Sequence, residues 1–224
     1  MSVANDRRQV EERNGAHFDP AMMVEAAKHT RAAIHAIAAA IHPGMVEEDA
    51  VAMARRMLKA REMLRGWHGI HVRFGPNTMK NFGERSDPGV LLREDDIFFI
   101  DIGPVWRGYE GDGGDTFVVG NDPDMARAAR DVRAVFDATS AAWREEGLTG
   151  AALYRRAALE AEARGWQLNL DMSGHRLSDF PHAVKFDGPL RDIDYTPSSG
   201  LWVLEIQIRH PERRFSAFYE SLLV

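Results

Sequence analysis

The sequence predicts an α+β domain: a curved antiparallel sheet backed by helices, built from two related halves that meet over a shared site. Three observations carry this expectation. Two helical stretches followed by strand-like runs occur twice along the 224 residues. The strand-like runs are short, apolar or alternating, and are bounded by turn chemistry such as GPN and DGG. Acids sit inside those runs in both halves: Asp101 in FFIDIG, Glu205 in VLEIQI and Glu220 in AFYESLLV.

In order, residues 1–17 are polar and charged and read as a mobile N-terminal arm, leaving 18–224 as a single domain. Residues 19–41 have alanine-rich helical periodicity, with Asp19 as N-cap and Pro20 at the first helical position; His42, Pro43 and Gly44 stop it. Residues 45–66 form a second amphipathic helix, with early acids and late bases that suit the helix dipole. WHGIHVRFGPNT is a short strand ending in a turn, and a polar loop (79–93) leads to the hairpin-like segment 95–120. The second half has a helix over 122–146 stopped by Gly147, then a helix capped by Thr149 and closed by Gly165. A loop containing SGHRLSDFPH runs through Pro197 to the final strands, GLWVLEIQIRH and FSAFYESLLV.

Composition is that of an ordinary globular protein, with 45% hydrophobic and 28% charged residues. A formal charge of −6 disfavours nucleic acid as the main partner. The absence of cysteine removes disulfides, thiolate nucleophiles and thiolate metal sites together. The N-terminus has no apolar signal region, and the most apolar helical run, 32–41, is too short to span a bilayer and is interrupted by His35. The expectation is a cytoplasmic protein with no membrane partner.

The chain is organised around residues 95–120, DDIFFIDIGPVWRGYEGDGGDTFVVG. Two apolar arms flank a turn-rich centre, and Asp101 and Asp112 lie eleven residues apart on them. A carboxylate in an apolar strand is costly to bury unless a positive charge meets it. Two side by side repel unless they share a proton or a cation, and a divalent metal is the economical solution. The remaining acids and histidines offer the other ligands. Alternation along GLWVLEIQIRH puts Glu205 opposite the apolar face, where it reads either as a solvated sheet acid or as a ligand. Glu220 shares a face with Phe218 and Leu222, so Glu220 and Asp101 are either ligands or partners of buried arginines. Asp112 also reads as a turn acid, and His175 as a satisfied surface or core histidine.

As a set, these motifs resemble the pita-bread metallopeptidase family, which includes methionine aminopeptidase, aminopeptidase P, prolidase and the non-metal enzyme creatinase. IDIGPVWRGYEGDGGDTFVVG is similar to the family's I-D-x-G…G-Y-x-G-D-x-x-x-T-F…G segment, SGHRLSDFPH to its G-H segment, and VLEIQI and AFYESLLV to its two late glutamate strands. The resemblance covers residues 19–224. It implies a pita-bread fold and a dinuclear site with Asp101, Asp112, His175, Glu205 and Glu220 as metal ligands. Such oxygen-rich ligands with one imidazole suit two ions of Mn²⁺, Co²⁺, Fe²⁺ or Zn²⁺ without choosing among them. It further implies that Glu205 relays a proton from the attacking water, and that His182 hydrogen-bonds the oxyanion on the substrate carbonyl.

The likeness has departures. Family peptidases carry a histidine before the hairpin that contacts the scissile amide; its expected position here is near Phe82, whose ring donates no hydrogen bond. Asp115 stands where aminopeptidase P-like members carry a basic residue, and is expected either to meet a cationic substrate or to face solvent. Gln207 replaces the proline after the first late glutamate. The separate N-terminal domain of prolidase and its relatives is missing, so the site is expected to be open on that side or closed by a second subunit in a homodimer. The functional expectation is a dinuclear metal hydrolase, an aminopeptidase of Xaa-Pro or N-terminal-residue type acting on a short peptide or small amide. The alternatives are a pita-bread enzyme cleaving a C–N or C–S bond of a small metabolite, and a catalytically silent binding module.

Overall fold

The computed structural model describes residues 3–181 and 188–224. The first half contributes helices α1 (Val3–Glu11), α2 (Pro20–Ala38) and α3 (Glu47–Ala60). Strands β1 (Ile70–Phe74) and β2 (Asp96–Ile102) follow, then a small hairpin of β3 (Val105–Trp106) and β4 (Tyr109–Glu110), and then β5 (Gly113–Val119). The second half contributes α4 (Pro123–Glu146), α5 (Gly150–Glu162), β6 (Gln167–Leu168), β7 (Val203–Arg209) and β8 (Ser216–Leu222). Apart from the small hairpin, the strands form one antiparallel sheet in the order β1-β2-β5-β8-β7-β6, so the two halves join where β5 pairs with β8.

Local chemistry sets the helix ends as expected. The Asp19 side chain accepts from the backbone N–H of Ala21, Asp122 from Asp124 and Met125, and Thr149 from Ala152. Each such cap contributes about 1 kcal/mol. Gly147 ends α4 in the left-handed region at φ 65°, where a side chain would be strained.

One face of the sheet packs on the helices through two cores. Val72, Phe74, Phe98, Ile100 and Ile102 meet α2 and α3 residues such as Ile34, Ile37 and Leu58. Leu204, Ile206, Ile208 and Ala217 meet α4 and α5 residues such as Val132, Val135 and Leu153. Because side chains alternate along a strand, the acids between these apolar positions are carried to the opposite, concave face.

Register then aligns them. His71 lies opposite Asp101, Asp101 opposite Gly114, Gly114 opposite Glu220, and Glu220 opposite Glu205. Directly opposed residues point to the same face, so this is one row of side chains across both halves. Gly114 keeps the middle of the row clear, since a Cβ there would come within 2.2 Å of the Phe218 ring.

The stretch read as an arm is instead attached to the second half. Glu12 accepts hydrogen bonds from Trp202 Nε1 (2.8 Å) and Ser198 N (2.7 Å), and its carbonyl accepts from buried Arg176 (2.9 Å). Among the described residues, no helix is long and apolar enough to cross a membrane.

Candidate metal centre

Five of the residues singled out in the sequence, Asp101, Asp112, His175, Glu205 and Glu220, converge on the concave face. Their ligand atoms fall into overlapping groups, each within 4.8 Å: Asp101 with Asp112 and Glu220, and His175 with Glu205 and Glu220. A third such group contains a residue that the sequence reading did not select: His68 with Asp112 and His175. Asp101 and Glu220 come from adjacent rungs of the sheet, and Asp112 from the residue preceding β5. The His175 loop is drawn against β7 by Gly174, where a Cβ would fall 1.9 Å from the Val203 carbonyl oxygen. Tyr154 from α5 pins the same junction, accepting from Gly174 N (2.7 Å) and donating to the Glu205 carbonyl (3.1 Å).

The electrostatics are those of an acid cluster short of positive charge. Burial, followed by the charges of Asp112 and Glu205, pushes Asp101 up to about 7 against the pull of His68. Burial also raises Glu220 well above its ordinary value, with the charges of Asp112 and then Glu205 next. Burial likewise raises Glu205. Asp112 is the exception: burial would raise it, but the His68 charge and the His175 hydrogen bond and charge hold it below the usual range. Burial would depress His175, yet its hydrogen bond to Asp112 and that charge lift it to about 10. His175 Nε2 lies 2.9 Å from Asp112 Oδ2.

The cluster fits divalent metal. Asp101 Oδ1 and Glu220 Oε2 are buried without a hydrogen-bond partner. Among the described residues, no lysine or arginine forms an ion pair with Asp101, Asp112, Glu205 or Glu220; Arg31 reaches only the backbone carbonyl of Glu220. Four carboxylates and two imidazoles with this little compensation are a donor set for cations.

Above the cluster lies a cavity of about 400 Å³ with Trp67, His68, Phe82, Met172, His175 and Glu205 in its wall. Glu205 is the cluster carboxylate that reaches this cavity. Phe82 lies in the wall, 47% exposed, with its ring 4.7 Å from His71 and 5.1 Å from His68 between centroids. His182 lies outside the described residues.

Asp115 requires a correction. It neither faces the cavity nor solvent: it is 1% exposed and its carboxylate is gripped by Arg133 at 2.7 Å on each oxygen, with Arg31 at 3.3 Å. The reason is strand parity. Asp115 opposes Ile100, one step off the Asp101–Gly114 rung, so it points to the helix side of the sheet. Arginines from α2 and α4 meet it there.

His68 and Tyr154 are the site residues missed from sequence. Tyr154 carries no signal beyond an apolar position on a helix. His68 lies in WHGIHV at the entry to β1, and its chain distance from Asp101 says nothing of the fold that brings them to 3.6 Å.

A helix-backed antiparallel sheet with two-half topology and a buried carboxylate–imidazole cluster across the join defines a pita-bread protein. Residues 21–194 match the model of metallopeptidase family M24, and the chain belongs to that family. Solved structures agree on the fold. A prolidase from Pyrococcus furiosus superposes with a TM-score of 0.74 at 15% identity, over 100% of this chain and 66% of that one. A prolidase from Pyrococcus horikoshii OT3 gives 0.76 at 17% identity, over 99% and 63%. A methionine aminopeptidase from Thermotoga maritima gives 0.68 at 17% identity, over 93% of each chain. The chain thus spans under two thirds of the length of either prolidase. No curated protein matches the chain.

Proposed function

We propose that the protein is a dinuclear metal-dependent aminopeptidase that cleaves the N-terminal residue, Xaa-Pro bonds included, from a short peptide or small amide. The observation that carries this reading is the row of buried acids with unpartnered oxygens, Asp101 Oδ1 and Glu220 Oε2, beneath an accessible cavity. Asp101, Asp112, His175, Glu205 and Glu220 would hold two divalent ions. When bound, such ions polarise a carbonyl and make water nucleophilic at neutral pH.

The chain's own residues supply the rest. Glu205 reaches the cavity, so its carboxylate is placed to take a proton from the attacking water and deliver it to the leaving amine. His182 is assigned the developing oxyanion on the strength of its motif alone. Trp67, Phe82 and Met172 give an apolar wall suited to the side chain of a short substrate.

One observation favours a second reading. Phe82 occupies the wall where the motif expects a hydrogen-bonding imidazole, which favours cleavage of a C–N or C–S bond in a small metabolite. The test is a panel of Xaa-Pro and Met-Xaa dipeptides with the Mn²⁺- or Co²⁺-loaded protein. Hydrolysis is expected, with Glu205→Gln slowing it by roughly 10²- to 10⁴-fold. No turnover with two ions per chain transfers the assignment to the metabolite reading; no bound ion makes the protein a silent binding module.

A further inference from the structure

We infer that His68 is an additional metal ligand, joining Asp112 and His175 around one ion, so that the centre holds metal through two imidazoles. This rests on the metal-dependent reading above and deepens it. The two histidines are arranged alike. His175 Nδ1 lies 3.0 Å from the carbonyl of the next residue, Arg176, and His68 Nδ1 lies 2.6 Å from the carbonyl of its next residue, Gly69. A carbonyl can only accept, so each ring carries its proton on Nδ1 in the neutral form and turns an Nε2 lone pair to the acids. Fixing the tautomer through the far nitrogen is how proteins orient metal-binding imidazoles.

Distance separates coordination from hydrogen bonding. His68 Nε2 is 3.6 Å from Asp101 Oδ1 and 3.8 Å from Asp112 Oδ1. Both exceed an ordinary N–H···O hydrogen bond. They are close to the spacing, about 3.4 Å, of two ligands on one ion with bonds of about 2.1 Å. The His68 side chain is 7% exposed and the Asp112 side chain 0%.

The surroundings hold the ring in place. Gly103, just past β2, makes room for it: a Cβ there would fall 2.5 Å from His68 Cβ and 2.9 Å from Trp67 Cζ2. Trp67 and Phe82 then flank it, with ring centroids 5.3 and 5.1 Å away. Neighbouring His71 is not equivalent. Its Nε2 is buried with no hydrogen-bond partner, but it belongs to none of the three ligand groups. A second imidazole moves the preference of the centre from Mn²⁺ toward Co²⁺ and Zn²⁺.

The test is X-ray absorption at the cobalt edge on the full chain saturated with Co²⁺, counting coordinated imidazoles, with Co²⁺ affinity measured by calorimetry. Two imidazoles per chain are expected, falling to one in His68→Gln and one in His175→Gln and staying at two in His71→Gln. Affinity should fall by at least about tenfold in His68→Gln. One imidazole in the unaltered chain overturns the inference. So does an unchanged count in His68→Gln, and a raised KM beside that unchanged count makes His68 a substrate contact. If His68→Gln fails to fold, the counts in the unaltered chain and in His175→Gln still decide. Absence of bound Co²⁺ from the unaltered chain overturns the metal reading itself.

Discussion

Asp112 and Asp115 are three residues apart on one segment, equally buried at 2% and 1% exposure, and they have opposite surroundings. Asp115 points to the helices and is neutralised within the chain: Arg133 bridges both oxygens, Arg31 adds a second guanidinium, and Thr116 N donates at 2.8 Å. Asp112 points to the concave face, where Asp101, Glu205 and Glu220 add charge of its own sign and two imidazoles are the compensation. A buried carboxylate is therefore no evidence of a site by itself. What marks the concave face is that the fold collects acids there and leaves oxygens unpartnered, a state stable only with protons or cations brought from outside.

The largest effect that would break this contrast is on metal binding. Asp112→Asn should weaken Co²⁺ affinity by more than about a hundredfold, beyond the range for outer-shell changes, while the chain stays folded. Asp115→Asn should do the reverse. It leaves Arg133 and Arg31 facing a neutral amide in a buried position, and stability should drop by about 2–3 kcal/mol. That is below the full value for a buried pair because the Arg133 side chain is 44% exposed and rehydrates. Metal titration and urea denaturation of both variants check this. If Asp115→Asn lost metal and kept its stability, the two faces would have been assigned the wrong way round.

The same contrast explains what could be read from sequence. The acids at Asp101, Glu205 and Glu220 were legible because each lies in a strand-like run beside apolar residues, but that they share one face follows from the pairing register, which the sequence does not show. Helices and caps were legible because their signals are local: Asp19–Pro20, Asp122–Pro123 and Thr149 do what those residue types do elsewhere. Asp115 lies elsewhere than its place in the motif implies because β5 begins at Gly113 and strand parity turns Asp115 away from Asp112's side. His68 was missed because it precedes its strand, and only tertiary packing against Gly103 brings it to the acids. The docking of residues 3–14 was illegible for a like reason: its partners, Ser198, Arg176 and Trp202, are remote in sequence.

A smaller effect sharpens the contrast in the metal-free chain. Asp101→Asn removes a carboxylate whose burial His68 compensates only in part and keeps its shape. It should stabilise the metal-free protein by about 1–2 kcal/mol at pH 8, while metal binding is lost. Stabilisation together with loss of function marks a position held for chemistry rather than for the fold. If Asp101→Asn were destabilising to the degree expected of Asp115→Asn, a fixed partner for Asp101 would have to exist.

The gentlest test is pH, with at most about 1.4 kcal/mol per pH unit for each proton. Asp101 is raised from 3.8 to about 7, so between those values the folded chain holds a proton that the unfolded chain has released. Stability of the metal-free protein must then fall as pH rises through that window. His175, raised from 6.5 to about 10, carries the fall onward: its contribution is complete below 6.5 and lost as pH approaches 10. Asp122, at the start of α4, has the opposite sign. Its hydrogen bond to Arg213 holds it near 2, so its contribution is present above 3.8 and lost as pH drops toward 2. The metal-free chain should therefore be most stable near pH 4, with chemical denaturation at pH 3, 4, 6 and 8 tracing the maximum. Saturating Co²⁺ should reverse the slope above pH 4, because the ion binds deprotonated ligands and its affinity rises with pH. A metal-free stability that climbs from pH 4 to 7 would mean that Asp101 is charged and compensated in the fold, and the contrast with Asp115 would collapse.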